Sequence, residues 1–165
     1  MADEKYPAPE LAQWAEDWGQ TRGLTYDLLR ALPPAVLNFS PAAGFGPLSR
    51  QIRHVGDIQA CYLAALETGR MDFTSQPRQR KVEQSKEHLE GYLQALDASL
   101  REALRGLGTE GAARLIQWDG EQLSLLRHLI RLLQHETLHH GMWAIYAGVA
   151  DLPLPPSWHA AWRLG

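Results

Sequence analysis

His135-Glu136-Thr137-Leu138-His139-His140-Gly141 sits inside an apolar run that follows Ser124 and ends near Gly148. In a helix, residues four apart are turned by only about 40° and separated by about 6 Å along the axis. His135 and His139 therefore share a face and can bite one ion. A divalent metal of the Zn or Ni kind accepts neutral imidazoles at about 2 Å, and two protein ligands seldom suffice, so a third is expected. The same residues also spell His-Glu-x-x-His, the zinc-peptidase pattern in which Glu136 serves as general base. The two readings differ over the third ligand, which is an upstream histidine in the first and Asp151 or His159 in the second.

Outward from this run, proline and glycine punctuation divides the chain into four long helical segments without an internal repeat. The first should begin near Pro9 and stop at about Leu32, before Pro33-Pro34, with Leu11, Trp14, Trp18 and Leu28 on its apolar face. Residues 35–46 read as a loop, after which Pro47 opens a second helix that ends near Gly69. The third should run from about Val82 to Leu104, with Leu89, Leu93, Leu96 and Leu100 as its stripe. Asp119-Gly120, between residues 114–118 and 121–123, predicts a short β-hairpin, and Ser124 then caps the fourth helix. Four helices of similar length make this an all-α four-helix bundle.

His54 lies mid-way along the second helix, with Ile58 and Cys61 at helical spacing, so it should face the core and is the best third ligand. Sites of this kind are built between facing helices of bundles. Three histidines leave at least one coordination position open, the arrangement of a catalytic rather than a purely structural ion. His128 shares the stripe of His135 but lies about 10 Å away along the axis, which favours a structural role. His140 is turned about 100° from His139 and should point to a neighbouring helix or a dimer surface. His88 and His159 are read as solvated or packed, and Cys61 as a buried apolar residue. Trp158 and Trp162, four apart after Pro155-Pro156, should pack as an amphipathic turn.

At 165 residues the chain fits one domain, 1–165, that buries roughly 70% of the surface of its unfolded form. Hydrophobic residues at 45% and charged residues at 21% are ordinary for a folded globular protein. Lys and Arg total 16 against 19 Asp and Glu, for a net charge of −3, and they are scattered, so no nucleic-acid footprint is visible. No stretch of about 18 apolar residues exists to span a membrane. The single cysteine excludes an internal disulfide, and residues 1–7 lack the basic-then-apolar layout of a signal peptide. The expected location is the cytoplasm.

His54 in the second helix, the run from His135 to Gly141, and the exit from Gly148 to Pro156 together resemble the DinB/YfiT-like superfamily of bacterial metal-binding four-helix proteins, which includes thiol-dependent transferases. The resemblance implies an up-down-down-up bundle, often dimeric, with His54, His135 and His139 as metal ligands. Members often follow the double histidine with Arg-Gly-Gln, and here His140-Gly141-Met142-Trp143 stands instead.

The leading functional expectation is a metal-dependent enzyme in which the ion activates water, or the thiol of a low-molecular-weight cofactor, for attack on a small electrophile. By resemblance, thiol S-transfer stands ahead of hydrolysis, and a homodimer with a small-molecule substrate is expected. The alternatives are the zinc peptidase and a non-catalytic protein that binds metal for stability or for a stress response.

Overall fold

The computed structural model describes residues 6–163, and the outermost residues of the expected 1–165 domain lie outside that description. Helix α1 spans Pro9–Ala31, with proline in its first turn. It buries Leu11, Trp14, Trp18 and Leu28 as its spacing predicts. Its end before the proline pair is sealed from another helix, because Lys86 Nζ donates to the carbonyls of Arg30 at 2.8 Å and Leu32 at 2.7 Å. The segment expected to be wholly loop contains a 3₁₀ turn, Pro34–Asn38, which carries Leu37 into the core. Pro47 is the N-cap of α2, Leu48–Thr68, and Gly69 ends that helix in the left-handed conformation at φ 72°.

Helix α3 begins later than expected. It spans Lys86–Arg105, with the Ser85 side chain accepting from the His88 amide, while Val82 falls in a separate 3₁₀ turn, Arg80–Gln84. The stripe is also corrected by one position: Leu89, Leu93 and Leu100 are buried, but Asp97 takes the core place expected for Leu96, which is only half-buried. The hairpin forms as β1, Leu115–Trp118, and β2, Glu121–Ser124, with Trp118 paired to Glu121. Asp119 and Gly120 both have positive φ, 50° and 81°, as a two-residue hairpin turn of the primed kind requires. Ser124 then caps α4, Leu125–Val149, by accepting from the Arg127 amide. The terminal tryptophans lie on a short helix, α5, Pro156–Trp162, where Trp158 is buried and its indole donates to the Leu24 carbonyl of α1 at 2.8 Å. Among the described residues no helix is long and apolar enough to cross a membrane.

Side-chain pairings give the helix directions. Trp14 reaches the Leu129 carbonyl and Thr25 reaches Glu136, so α1 and α4 run parallel. Trp18 meets Asp97 while Arg30 meets Glu90, so α1 and α3 are antiparallel. Gly56 lies against Tyr92 and Gln59 meets Asp97, so α2 and α3 are parallel. His54 faces His139 and Tyr62 faces His128, so α2 and α4 are antiparallel. The result is an up-down-down-up bundle. Parallel neighbours cannot be joined by a tight turn, so residues 69–85 carry the chain back from α2 to α3. On the way they pair with the hairpin, since Met71 N–H donates to Gln117 O at 2.8 Å and Gln117 N–H to Gly69 O at 2.9 Å.

Two apolar clusters fill the bundle. One contains Leu11, Trp14, Ala65, Leu104 and Leu129, and the other Leu28, Ile52, Leu93, Trp143 and Trp158. Between them lies a layer of buried polar side chains that includes Arg22, Gln59, Asp97 and Glu136.

The approach of α2 to α3 depends on Gly56. A Cβ there would lie 2.5 Å from Tyr92 Cε1 and 3.0 Å from Leu93 Cδ2. Gly56→Ala should therefore lower stability by about 1–3 kcal/mol through overpacking, despite alanine's helix propensity. Gly23, inside α1, has nothing within 4 Å of such an atom, so Gly23→Ala should raise stability by about 0.5–1 kcal/mol. Urea unfolding midpoints of the two variants test this opposition of sign.

Candidate metal centre

α2 presents His54 to α4, and α4 presents His135 and His139, one turn apart, to α2. Ring centroids lie 5.2 Å apart for His54–His135, 5.2 Å for His54–His139 and 4.6 Å for His135–His139. One nitrogen from each ring can be chosen so that all three lie within 4.8 Å of one another. Among the described residues this is the group of histidine, cysteine and acidic side chains close enough to hold an ion. His54 and His135 are half-buried and His139 is 5% exposed.

The electrostatics suit neutral imidazole donors. Burial lowers the pKa of His139 to about 3, helped by His135, His54 and His140, and that of His135 to about 4, helped by His54. Burial also lowers that of His54, with Arg53 and Arg78 adding to the effect. All three rings are thus unprotonated at neutral pH, the state in which imidazole ligates. The enclosed Nδ1 atoms of His135 and His139 have no hydrogen-bond partner among the described residues, so the rings are not committed to other protein groups. Three neutral nitrogen donors fit a borderline-soft divalent ion of the Zn or Ni kind.

Glu136 takes no part in this cluster. One residue on from His135, it points to α1, where Thr25 Oγ1 donates to Glu136 Oε1 at 2.5 Å and Arg22 Nη1 lies 3.5 Å from the same oxygen. It is 1% exposed, and burial raises its pKa while Arg22 and Thr25 oppose the rise. His140 joins the same face: with the Thr25 proton engaged by Glu136, its Nε2 donates to Thr25 Oγ1 at 2.8 Å. Its ring also lies against that of Trp158, tilted by 42° with centroids 4.8 Å apart. The expected turn toward a neighbouring helix is realised against α1 and α5. The network continues through Arg22, whose Nη2 donates to Gln59 Oε1 at 2.7 Å and whose Nε lies 3.5 Å from Asp97 Oδ1. Asp97 also accepts from Trp18 at 3.1 Å, Gln59 at 3.0 Å and Tyr26 at 2.5 Å.

His128 is buried and its Nε2 lies 3.2 Å from the Ile116 carbonyl, tying α4 to β1. His88 and His159 are exposed, and neither joins the cluster. Cys61 is buried, and burial raises its thiol pKa. It nevertheless lines the cleft above the cluster.

That cleft has two halves. A polar half of about 610 Å³ is lined by His54 and His139 together with Arg50, Arg53, Asp57 and Arg78. An apolar half of about 420 Å³ is lined by His135 with Tyr62, Phe73, Trp118 and Leu138. Ile58 and Phe73 border both. The sequence reading missed these walls, and it also missed Arg22, Thr25, Gln59 and Asp97. A signal for the network was present, because residues 21, 22 and 25 continue the spacing of Leu11, Trp14 and Trp18 with polar side chains.

Fold and cluster together define a class: up-down-down-up helical bundles with a three-histidine group between the second and fourth helices. The chain belongs to the DinB superfamily, whose model matches residues 17–143, a span that includes all three histidines. No curated protein matches the chain. Solved structures similar to it include a DinB-like protein from Bacillus subtilis, 16% identical with a TM-score of 0.67, covering 87% of this chain and 96% of that one. Another is a DinB-like protein from Bacillus cereus ATCC 10987, 18% identical with a TM-score of 0.67, covering 92% of this chain and 98% of that one. At these identities the likeness concerns the fold.

The depressed histidine pKa values give a pH dependence for metal-free protein. In the unfolded chain these rings take up protons near pH 6.5, whereas in the fold His135 and His139 resist until about 4 and about 3. The unfolded state therefore binds more protons in this window, and stability present above about pH 6.5 should be lost as pH falls toward the folded values. Urea midpoints of chelator-treated protein should decline from pH 7 to 4.5, and a His135→Ala/His139→Ala variant should decline less. Equal slopes would count against buried, neutral rings.

Proposed function

We propose that His54, His135 and His139 hold one divalent transition metal, Zn or Ni, and that the protein is an enzyme acting on a small electrophile with a thiol or water as nucleophile. The observation that carries this reading is the convergence of three neutral imidazoles at the floor of an open cleft. A structural ion is normally enclosed by four protein ligands, whereas three ligands beside a cleft leave room for a reactant. A bound ion would supply Lewis acidity there, lowering the pKa of a coordinated thiol or water.

The chain's own residues supply the rest. α2 and α4 fix the ligand rings, the aromatic half of the cleft offers an apolar wall on one side, and the arginine half admits charge on the other. The DinB superfamily, by the resemblance stated above, favours a low-molecular-weight thiol as co-substrate. The peptidase reading fares worse, because an upstream His54 occupies the place of a downstream third ligand and Glu136 is held by Thr25 and Arg22. A general base must come within about 3 Å of the proton it removes, and Glu136 is turned to α1 and engaged there.

Reconstituted protein should take up close to one zinc per chain. His54→Ala, His135→Ala and His139→Ala should each weaken uptake by more than about 100-fold, while His128→Ala and His140→Ala should stay within about 100-fold of wild type. Calorimetric zinc titration checks this, with circular dichroism to show that each variant folds. Tight binding by His54→Ala combined with loss in Asp151→Ala or His159→Ala would transfer the third ligand downstream. Zinc- or nickel-loaded protein should then be screened with low-molecular-weight thiols against electrophiles, and with ester and amide substrates. Turnover with a thiol that vanishes in His139→Ala is the expected result, and uniform inactivity would leave a metal-binding protein without catalysis.

A further inference from the structure

The two halves of the cleft differ in what they can recognise. Three arginines line the polar half, but Arg53 is already engaged by Asp57 and Glu83. Asp57, the carboxylate among the residues lining that half, also accepts from Tyr92 Oη at 3.0 Å. Arg50 and Arg78 are exposed, and among the described residues neither has a carboxylate within ion-pair distance. They come from separate segments, the first turn of α2 and the return loop after it, and are the two guanidinium groups of this mouth without a carboxylate partner among the described residues.

The apolar half is open as well. Phe73 is 39% exposed and Leu138 is 65% exposed. Phe73 lies edge-on to both Trp118, with ring centroids 5.6 Å apart, and Tyr62, at 6.1 Å. Arg131 lies over Trp118 on the same wall, its charge 4.4 Å from the ring centroid. His54 and His139 border the polar half and His135 the apolar half, so the three histidines stand at the junction.

We propose that this cleft selects a small molecule with a carboxylate at one end and an apolar body at the other. Arg50 and Arg78 take the carboxylate, through the charge-assisted and bidentate hydrogen bonds that a guanidinium offers. Phe73 and Trp118 take the body, and the part between lies over the histidines. The proposal deepens the metal-centre reading and rests on it for the reaction, though not for binding.

Calorimetric titration of the full chain, with and without zinc, should compare 4-phenylbutyrate with its amide, 4-phenylbutyramide. The acid is expected to bind at least about ten-fold more tightly than the amide in both states of the protein. Arg50→Gln/Arg78→Gln should abolish that preference, and Phe73→Ala should weaken acid and amide alike. Both arginines are exposed, so these variants should fold, which their thermal melts will show. Equal binding of acid and amide by wild-type protein would overturn the proposal, as would a preference that survives the double arginine substitution. A preference seen only with zinc and indifferent to the arginines would make the carboxylate a metal ligand, overturning the proposal while leaving the metal centre standing. An arginine-dependent preference in protein that takes up no zinc would uphold the proposal and remove the metal centre.

Discussion

A guanidinium enclosed in the middle of a helical bundle constrains everything around it. Arg22 is 1% exposed, and an uncompensated charge at such depth costs several kcal/mol. Each of the other three helices therefore sends a polar group to it: Gln59 from α2, Asp97 from α3 and Glu136 from α4. Trp18 stacks under its charge on α1 itself, 4.7 Å from guanidinium carbon to ring centroid. Apolar side chains tolerate small slips along a helix axis, but a buried charge whose partners come from four helices does not. The polar layer between the two apolar clusters thus fixes the relative height of the helices.

Glu136 carries this constraint to the histidines. It is anchored by Arg22 and Thr25 on the α1 side, so His135 and His139 are held at one height on the α2 side of the same helix. Gln59 holds α2 in the same way, five residues from His54. The helix separates two tasks by rotation: neighbouring positions differ by about 100°, so structural charge and metal-binding nitrogen can alternate along His135-Glu136 without sharing a face.

The return of the chain between parallel α2 and α3 makes the second contribution. Residues 69–85 must travel the length of the bundle, and they do so over the histidine face, paired with the hairpin before α4. This route brings Phe73 and Arg78 beside the cluster from one segment and Trp118 from the other. A topology forced by two parallel helices is what builds walls around the candidate centre, one polar with arginines and one mainly aromatic, where Arg131 lies over Trp118.

The sequence by itself determined the helices, the hairpin and the His135/His139 pair, because each is written in local spacing, while the meeting of His54 with that pair needed the packing of α2 against α4. Leu11, Trp14, Trp18 and Leu28 recur at a helical period, Asp119-Gly120 satisfies a primed turn, and His135 and His139 are one turn apart. The start of α3 was less legible because Ser85 and the preceding 3₁₀ turn compete with a continuous helix from Val82. Leu96 was expected inside and Asp97 took its place, since spacing alone ranks leucine above a carboxylate until partners on other helices are known. The network of Arg22, Thr25, Asp97 and Glu136, the aim of Glu136 away from the histidines, and the two-sided cleft were decided only by tertiary structure. Their partners lie tens of residues apart in the chain, and the free energy that settles a buried charge depends on what surrounds it in space.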